Sequence, residues 1–302
     1  MSKEKYLLHL YPRIWRARYE EELLAVLESC PLSFIDTIDI ILNAIDAHLH
    51  PYLGARGMPL QERIILMLRT LRRSLIVLFC AYIGFVLAGL AFQKLTEYDD
   101  FVAAARAHSL IGTSFTLVVI GSVLALLAIL AGGLPIAFAV VKDALATKRT
   151  GRLLLLAVPL LAFAALLGMT QGLGHTVVGN LPKPVAGMYF FGGFLVLAVV
   201  STASVCIAVA RSTISDDLLR FAIFPSAVAT ISMLCMLLAT IFWGLGLQSA
   251  VPQLFSGNDG IMGSSTSGTW LGIIAAMAIS TAAAVVSLVR GLASRSAQYS
   301  VE

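Results

Sequence analysis

Long apolar runs separated by short polar turns set the rhythm of this chain. Six runs carry no charge: Leu75 to Gln93, Ser109 to Ala131, Leu153 to Leu173, Met188 to Ala210, Phe221 to Leu247 and Thr269 to Val289. Hydrocarbon about 30 Å thick is crossed by about 20 helical residues, so each run has the length of one span. Every Asp, Glu, Lys and Arg lies outside these cores, as expected where one charge at mid-bilayer costs roughly 3 kcal/mol. Backbone amides in lipid can pair only with one another, which makes the runs helices, and none alternates like a barrel strand. The pattern predicts an all-α polytopic membrane bundle of six transmembrane helices.

The second run overshoots a bilayer, since apolar sequence continues through Gly132, Gly133 and Pro135 to Val141. Pro135 removes a backbone donor and crowds the preceding turn. A kink or break is expected there, with Ile136 to Ala146 at the interface or as a tilted extension. Pro159 and Pro225 are expected to kink the third and fifth runs. Between spans, Lys94 to His108 holds Glu97, Asp99 and Asp100 ahead of a helix-forming Phe101 to Ala107 stretch. Ser249 to Gly268 is Gly/Ser-rich around Asp259, with Val251 to Phe255 apolar enough to dip into the interface.

Ahead of the spans the pattern changes to that of a small polar module, residues 1–57. Leu7, Leu10, Ile14, Leu24 and Leu27, with Tyr11, Trp15 and Tyr19 at four-residue spacing, form an apolar and aromatic stripe along one helix. Pro12 fits its first turn, and the pairs Arg16/Glu20 and Arg18/Glu22 have the spacing of helical ion pairs. After a break at Ser29 to Pro31, Ser33 and Asp36 start a second helix that ends near Pro51. Phe34, Ile38, Ile41, Ile45 and Leu49 line its apolar face, with Asp36, Asp39, Asn43 and Asp46 along another. The two helices read as a hairpin. So small a unit buries little core by itself, so part of the stripe is expected to dock on a partner. The docking residues on this reading are Tyr11, Arg13, Trp15, Arg16, Arg18 and Tyr19. Residues 58–73 follow as a basic amphipathic helix at the inner interface, with Pro59 at its start. The spans then occupy 74–290 and a polar tail 291–302.

YPRIWRARYEEE at Tyr11 to Glu22, a Pro-Leu-Ser turn, and IDAHLHP at Ile45 to Pro51 resemble the amino-terminal module of a group of uncharacterised bacterial multi-spanning membrane proteins. The resemblance covers about a sixth of the chain and supports the boundary at residue 57. It implies a bacterial cytoplasmic membrane and a neighbourhood of transport or signalling systems, and assigns no catalytic residue.

Composition and charge sharpen this picture. The chain is 59% hydrophobic and 13% charged, against about half and about a quarter in ordinary globular chains, so a soluble domain is excluded. Of 21 Lys and Arg, all but Lys94, Arg106 and Lys183 fall before the first span, in Lys142 to Arg152, in Arg211 to Arg220 or in the tail. That asymmetry predicts both termini in the cytoplasm. It also explains the net charge of +4 as orientation and attraction to anionic lipid, without nucleic acid. The opening MSKEKYLLHL has no apolar signal core, and insertion is expected to begin from an internal helix.

Chemistry is sparse. No GxxxxGK[ST] loop cradles phosphate, and no HExxH, serine elbow or membrane-mouth DxD offers a hydrolase or transferase centre. The expectation is a chain that is not an enzyme. Cys30, Cys80, Cys206 and Cys235 are scattered and give neither a disulfide framework nor a clustered thiolate site. His108 and His175 fall near one membrane face beside Met169, Gln171 and Met188. Such a pair is more often structural than ligating, so no metal or cofactor is expected. His48 and His50 lack the cysteines of a zinc site. No ionisable group lies mid-span, which disfavours an ion-driven carrier. The reading is a non-enzymatic membrane subunit or regulator whose partners are the bilayer and a protein held by the 1–57 module. The alternative is the permease subunit of an ATP-driven exporter, with a separate ATPase chain docking at Lys142 to Arg152 or Arg211 to Arg220.

Overall fold

The structure, a computed structural model, describes residues 7–11, 16, 19–22, 24–25, 37, 40, 43–44, 60–147, 150–168, 171, 183–212, 214–258, 260–261 and 264–299. Among them every regular element is helical: α1 Leu60–Thr96, α2 Asp99–Ala107, α3 Ser109–Ala146, α4 Thr150–Gly168, α5 Lys183–Arg211, α6 Asp216–Phe221, α7 Ile223–Ala250, α8 Pro252–Ser256 and α9 Thr266–Tyr299. The all-α membrane bundle expected from the pattern is what is observed. Five helices, within α1, α3, α5, α6–α7 and α9, are long and apolar enough to cross a membrane. The sixth, Leu153–Gly168 in α4, is shorter.

Contacts divide the chain into two compact units, Leu75–Leu288 and a second made of Met1–Ser74 with Val289–Glu302. In the Leu75–Leu288 unit, α3 packs along α7, α4 pairs with α5, α2 lies on α3 and α8 on α7. Buried positions step alternately by three and four. On α3 they are Ile111, Ser114, Val118, Gly121, Ala125, Ala128 and Gly132. On α7 the series Ser226, Ala229, Met233, Met236, Thr240, Trp243 and Leu247 does the same, as do Leu78, Ala81, Phe85, Ala88, Phe92 and Leu95 on α1. This is the 3.5-residue period of left-handed helix packing. Small residues on α3 let α7 close in, because lipid tails are as apolar as leucine and close approach is what favours helix contact over lipid contact. Bulky side chains such as Phe138, Leu160, Phe224 and Ile279 point outward, each more than two-thirds exposed.

Polar side chains inside the bundle serve the backbone. The hydroxyls of Ser226, Thr230 and Thr240 donate to the carbonyls of Ala222, Ser226 and Met236 at 2.7, 2.8 and 2.9 Å. A hydroxyl bonded one turn back is satisfied without water. At the turn after α1, Lys94 pairs with Glu97 at 2.7 Å on the exposed surface. α2 begins with Asp99 and Asp100 and ends with Arg106, charges that suit its dipole.

The helix boundaries bear on four expectations. α3 remains one helix through Pro135 to Ala146; membrane helices absorb an internal proline where neighbours compensate the freed carbonyl. Pro225 lies in the first turn of α7, where its missing donor has little to satisfy, so it is an entry residue more than a kink. The interfacial helix expected over 58–73 and the first span are a single helix, α1. Nothing between Leu60 and Gly84 breaks it, there being no proline or glycine in that stretch. Likewise α9 continues past Val289 to Tyr299, where a polar tail was expected.

Candidate functional site

In the amino-terminal module the phenol of Tyr11 is buried against Ile40 and Ala44, and its hydroxyl donates to the Ile40 carbonyl at 3.4 Å. Two segments 29 residues apart in sequence therefore meet. The contact commits Tyr11 to the inside of the module. Arg16 is partly buried and its Nη1 bonds the ring of His9. Tyr19 is partly buried and makes an interaction of its own. Arg13, Trp15 and Arg18 lie outside the described residues.

The most elaborate side-chain constellation in the Leu75–Leu288 unit lies where α1, α3, α7 and α9 meet the connecting helices α2 and α8. Trp243 is 1% exposed. Its ring meets Phe92 edge-on with centroids 5.1 Å apart and Phe101 at 5.8 Å, and Phe92 reaches Phe115 at 6.4 Å. Edge-to-face and tilted contacts of this kind match the ring quadrupoles. Phe101 comes from α2, so that connecting helix is anchored in the bundle by one aromatic side chain.

A second indole is held more specifically. The Trp270 Nε1–H donates to the Thr240 carbonyl at 3.0 Å, and the ring packs edge-on to Phe255 of α8 at 5.5 Å. It lies directly over Gly244, where a Cβ would come within 2.1 Å of the indole. Glycine is required there by close approach alone. Sequence reasoning missed this cluster, although one signal was available. Two of the chain's three tryptophans, Trp243 and Trp270, bracket the same turn, and tryptophan favours sites where its N–H finds a partner.

Two thiols also meet. Cys80 of α1 and Cys206 of α5 stand with their Sγ atoms 3.5 Å apart, although 126 residues separate them in sequence. Cys80 and Cys235 are exposed and Cys206 is partly so. Disulfide formation needs the sulfurs to close to about 2.05 Å. Copper-phenanthroline oxidation of the purified protein is expected to couple this pair, with two protons and two electrons leaving to copper and oxygen. The readout is loss of two maleimide-reactive thiols, restored by dithiothreitol and absent in Cys206→Ser. A count of reactive thiols unchanged by oxidation would show that α1 and α5 do not meet here.

His108 joins α2 to α3. Its backbone N–H donates to the Ala104 carbonyl at 3.0 Å, and its own carbonyl accepts from Gly112 at 3.1 Å. His175, proposed beside it from sequence, lies outside the described residues, as does Asp259. Comparison with protein-family models, curated proteins and solved structures returns no match to this chain. What the site does must therefore be argued from its own residues.

Proposed function

We propose that this chain is a non-enzymatic integral membrane subunit or regulator of a bacterial cytoplasmic membrane, with both ends in the cytoplasm. On this reading its amino-terminal module engages a protein partner. The observation that carries the reading is the separation of Met1–Ser74 and Val289–Glu302 as a compact unit of their own, distinct from the Leu75–Leu288 bundle. A small polar unit carrying an aromatic and basic stripe is suited to recognition, because Trp and Arg dominate the energy of protein interfaces. The resemblance of Tyr11 to Glu22 to the modules of bacterial multi-spanning proteins points the same way. With Tyr11 used internally, the recognition surface narrows to Arg13, Trp15, Arg16, Arg18 and Tyr19.

The test is capture of the partner by full-length protein in mild detergent, repeated with Trp15→Ala and Arg16→Ala. Loss of a central anchor is expected to weaken capture about thirtyfold, at about 2 kcal/mol or more per hot-spot residue. Helicity and elution volume should be unchanged. Capture that survives both substitutions removes the docking stripe. The permease alternative is favoured by one feature, the short helix α6 in the Arg211 to Arg220 turn, which offers a compact docking element. A nucleotide-binding chain that co-purifies and is lost with Arg220→Glu would select it.

A further inference from the structure

We propose that Arg73 on α1 and Arg290 on α9 together hold the phosphate of an anionic phospholipid headgroup. Both residues belong to the unit that contains the two chain ends. Within it α1 and α9 come close: a Cβ on Gly291 would lie 3.5 Å from Leu71 Cδ1 and 3.9 Å from Ser74 Cβ. That approach brings the Arg73 charge near enough to act on Arg290. Arg290 is partly buried, and its Nε is shielded from solvent without a hydrogen-bond partner among the described residues.

Two guanidinium charges close enough to act on one another repel. A buried N–H left unpaired adds a further cost. One anion bridging the two side chains removes both penalties. Position selects the anion. Arg73 and Arg290 lie at the ends of the candidate spans Thr70–Thr96 and Thr266–Leu292, at the depth of the headgroups, where phosphodiesters are the abundant anions. Arginine's planar fork matches phosphate oxygens in bidentate geometry. Beside the pair, Val289 and Leu292 are exposed apolar side chains on α9, a surface for the acyl chains of the same lipid. A basic pocket between helices at a membrane face is a recurrent solution for such headgroups.

The experiment is native mass spectrometry of the full-length protein. The protein is delipidated in neutral detergent and titrated with phosphatidylglycerol, phosphatidylcholine and inorganic phosphate. Phosphatidylglycerol retention should fall about tenfold in Arg73→Gln and again in Arg290→Gln, since a hydrogen bond to a charged group contributes at least about 1.5 kcal/mol. Arg290→Lys, which keeps charge and loses the fork, should weaken it less, and phosphatidylcholine retention should not change. Arg73 is exposed, so Arg73→Gln is the variant that reports even where Arg290→Gln does not fold. Wild-type retention in Arg73→Gln overturns the proposal, as does an equal loss in the control Arg211→Gln. Inorganic phosphate that displaces the lipid at similar concentration overturns the lipid as the source of the phosphate.

Discussion

Trp243→Ala is expected to destabilise the bundle by about 3 kcal/mol, the lower end of the range for deleting a large buried aromatic. The lower end is appropriate because the unfolded reference of a membrane helix is solvated by lipid. The transfer part of the penalty is therefore smaller than in water, and the lost packing dominates. Trp243 is almost fully enclosed and touches α1 through Phe92 and α2 through Phe101. Its removal leaves a cavity lined by three helices, too apolar to fill with water. The measurement is thermal unfolding in detergent followed by circular dichroism, with Trp243→Phe as the partial replacement. If the alanine variant melts like the parent, the aromatic cluster does not hold α2 to the bundle.

Gly121→Leu is expected to cost about 2 to 3 kcal/mol by the opposite route, overpacking. A Cβ at Gly121 would meet Met236 Cγ at 2.5 Å, with the Ser232 carbonyl 3.6 Å away. Met236 is itself buried, so its side chain cannot swing clear. α3 and α7 must then separate, and each lost carbon contact forfeits about 0.1 to 0.2 kcal/mol along the seam. Shortening the opposing side chain should relieve the clash. Met236→Ala in the Gly121→Leu background is expected to recover about 1 kcal/mol, a coupling typical of residues in contact. Additive losses in the double variant would place Gly121 and Met236 apart.

These two sites differ in how they could be read. Gly121 belongs to a series of small residues on one face of α3, Ser114, Gly121, Ala125, Ala128 and Gly132, spaced by seven, four, three and four. That series is visible in the sequence once a 3.5-residue period is sought. Trp243 sits in a run with bulky apolar residues on every face, Ile231, Leu234, Leu238 and Phe242 pointing outward, so hydrophobicity alone does not distinguish the inward face. The Cys80 and Cys206 contact and the approach of Gly291 to Leu71 and Ser74 have no local signal at all, since their partners are more than a hundred residues away. Tyr11 shows the reverse case. Its being a large aromatic among apolar residues was legible, and its burial against Ile40 and Ala44 was not, because that depends on a segment 29 residues away.

The sequence by itself determined that apolar helices build this protein and which stretches of the chain form them, though α1 and α3 each extend about four turns beyond the charge-free runs. Those are local consequences of chain length, missing charge and the need of every amide in lipid for a partner. Which helices are neighbours, which face each turns inward, and how Trp270 comes to rest on Gly244 were decided only by the tertiary structure. The physical reason is that lipid and helix interior are about equally apolar. Hydrophobicity then commits a segment to the membrane without orienting it. Orientation is left to shape complementarity between residues distant in sequence.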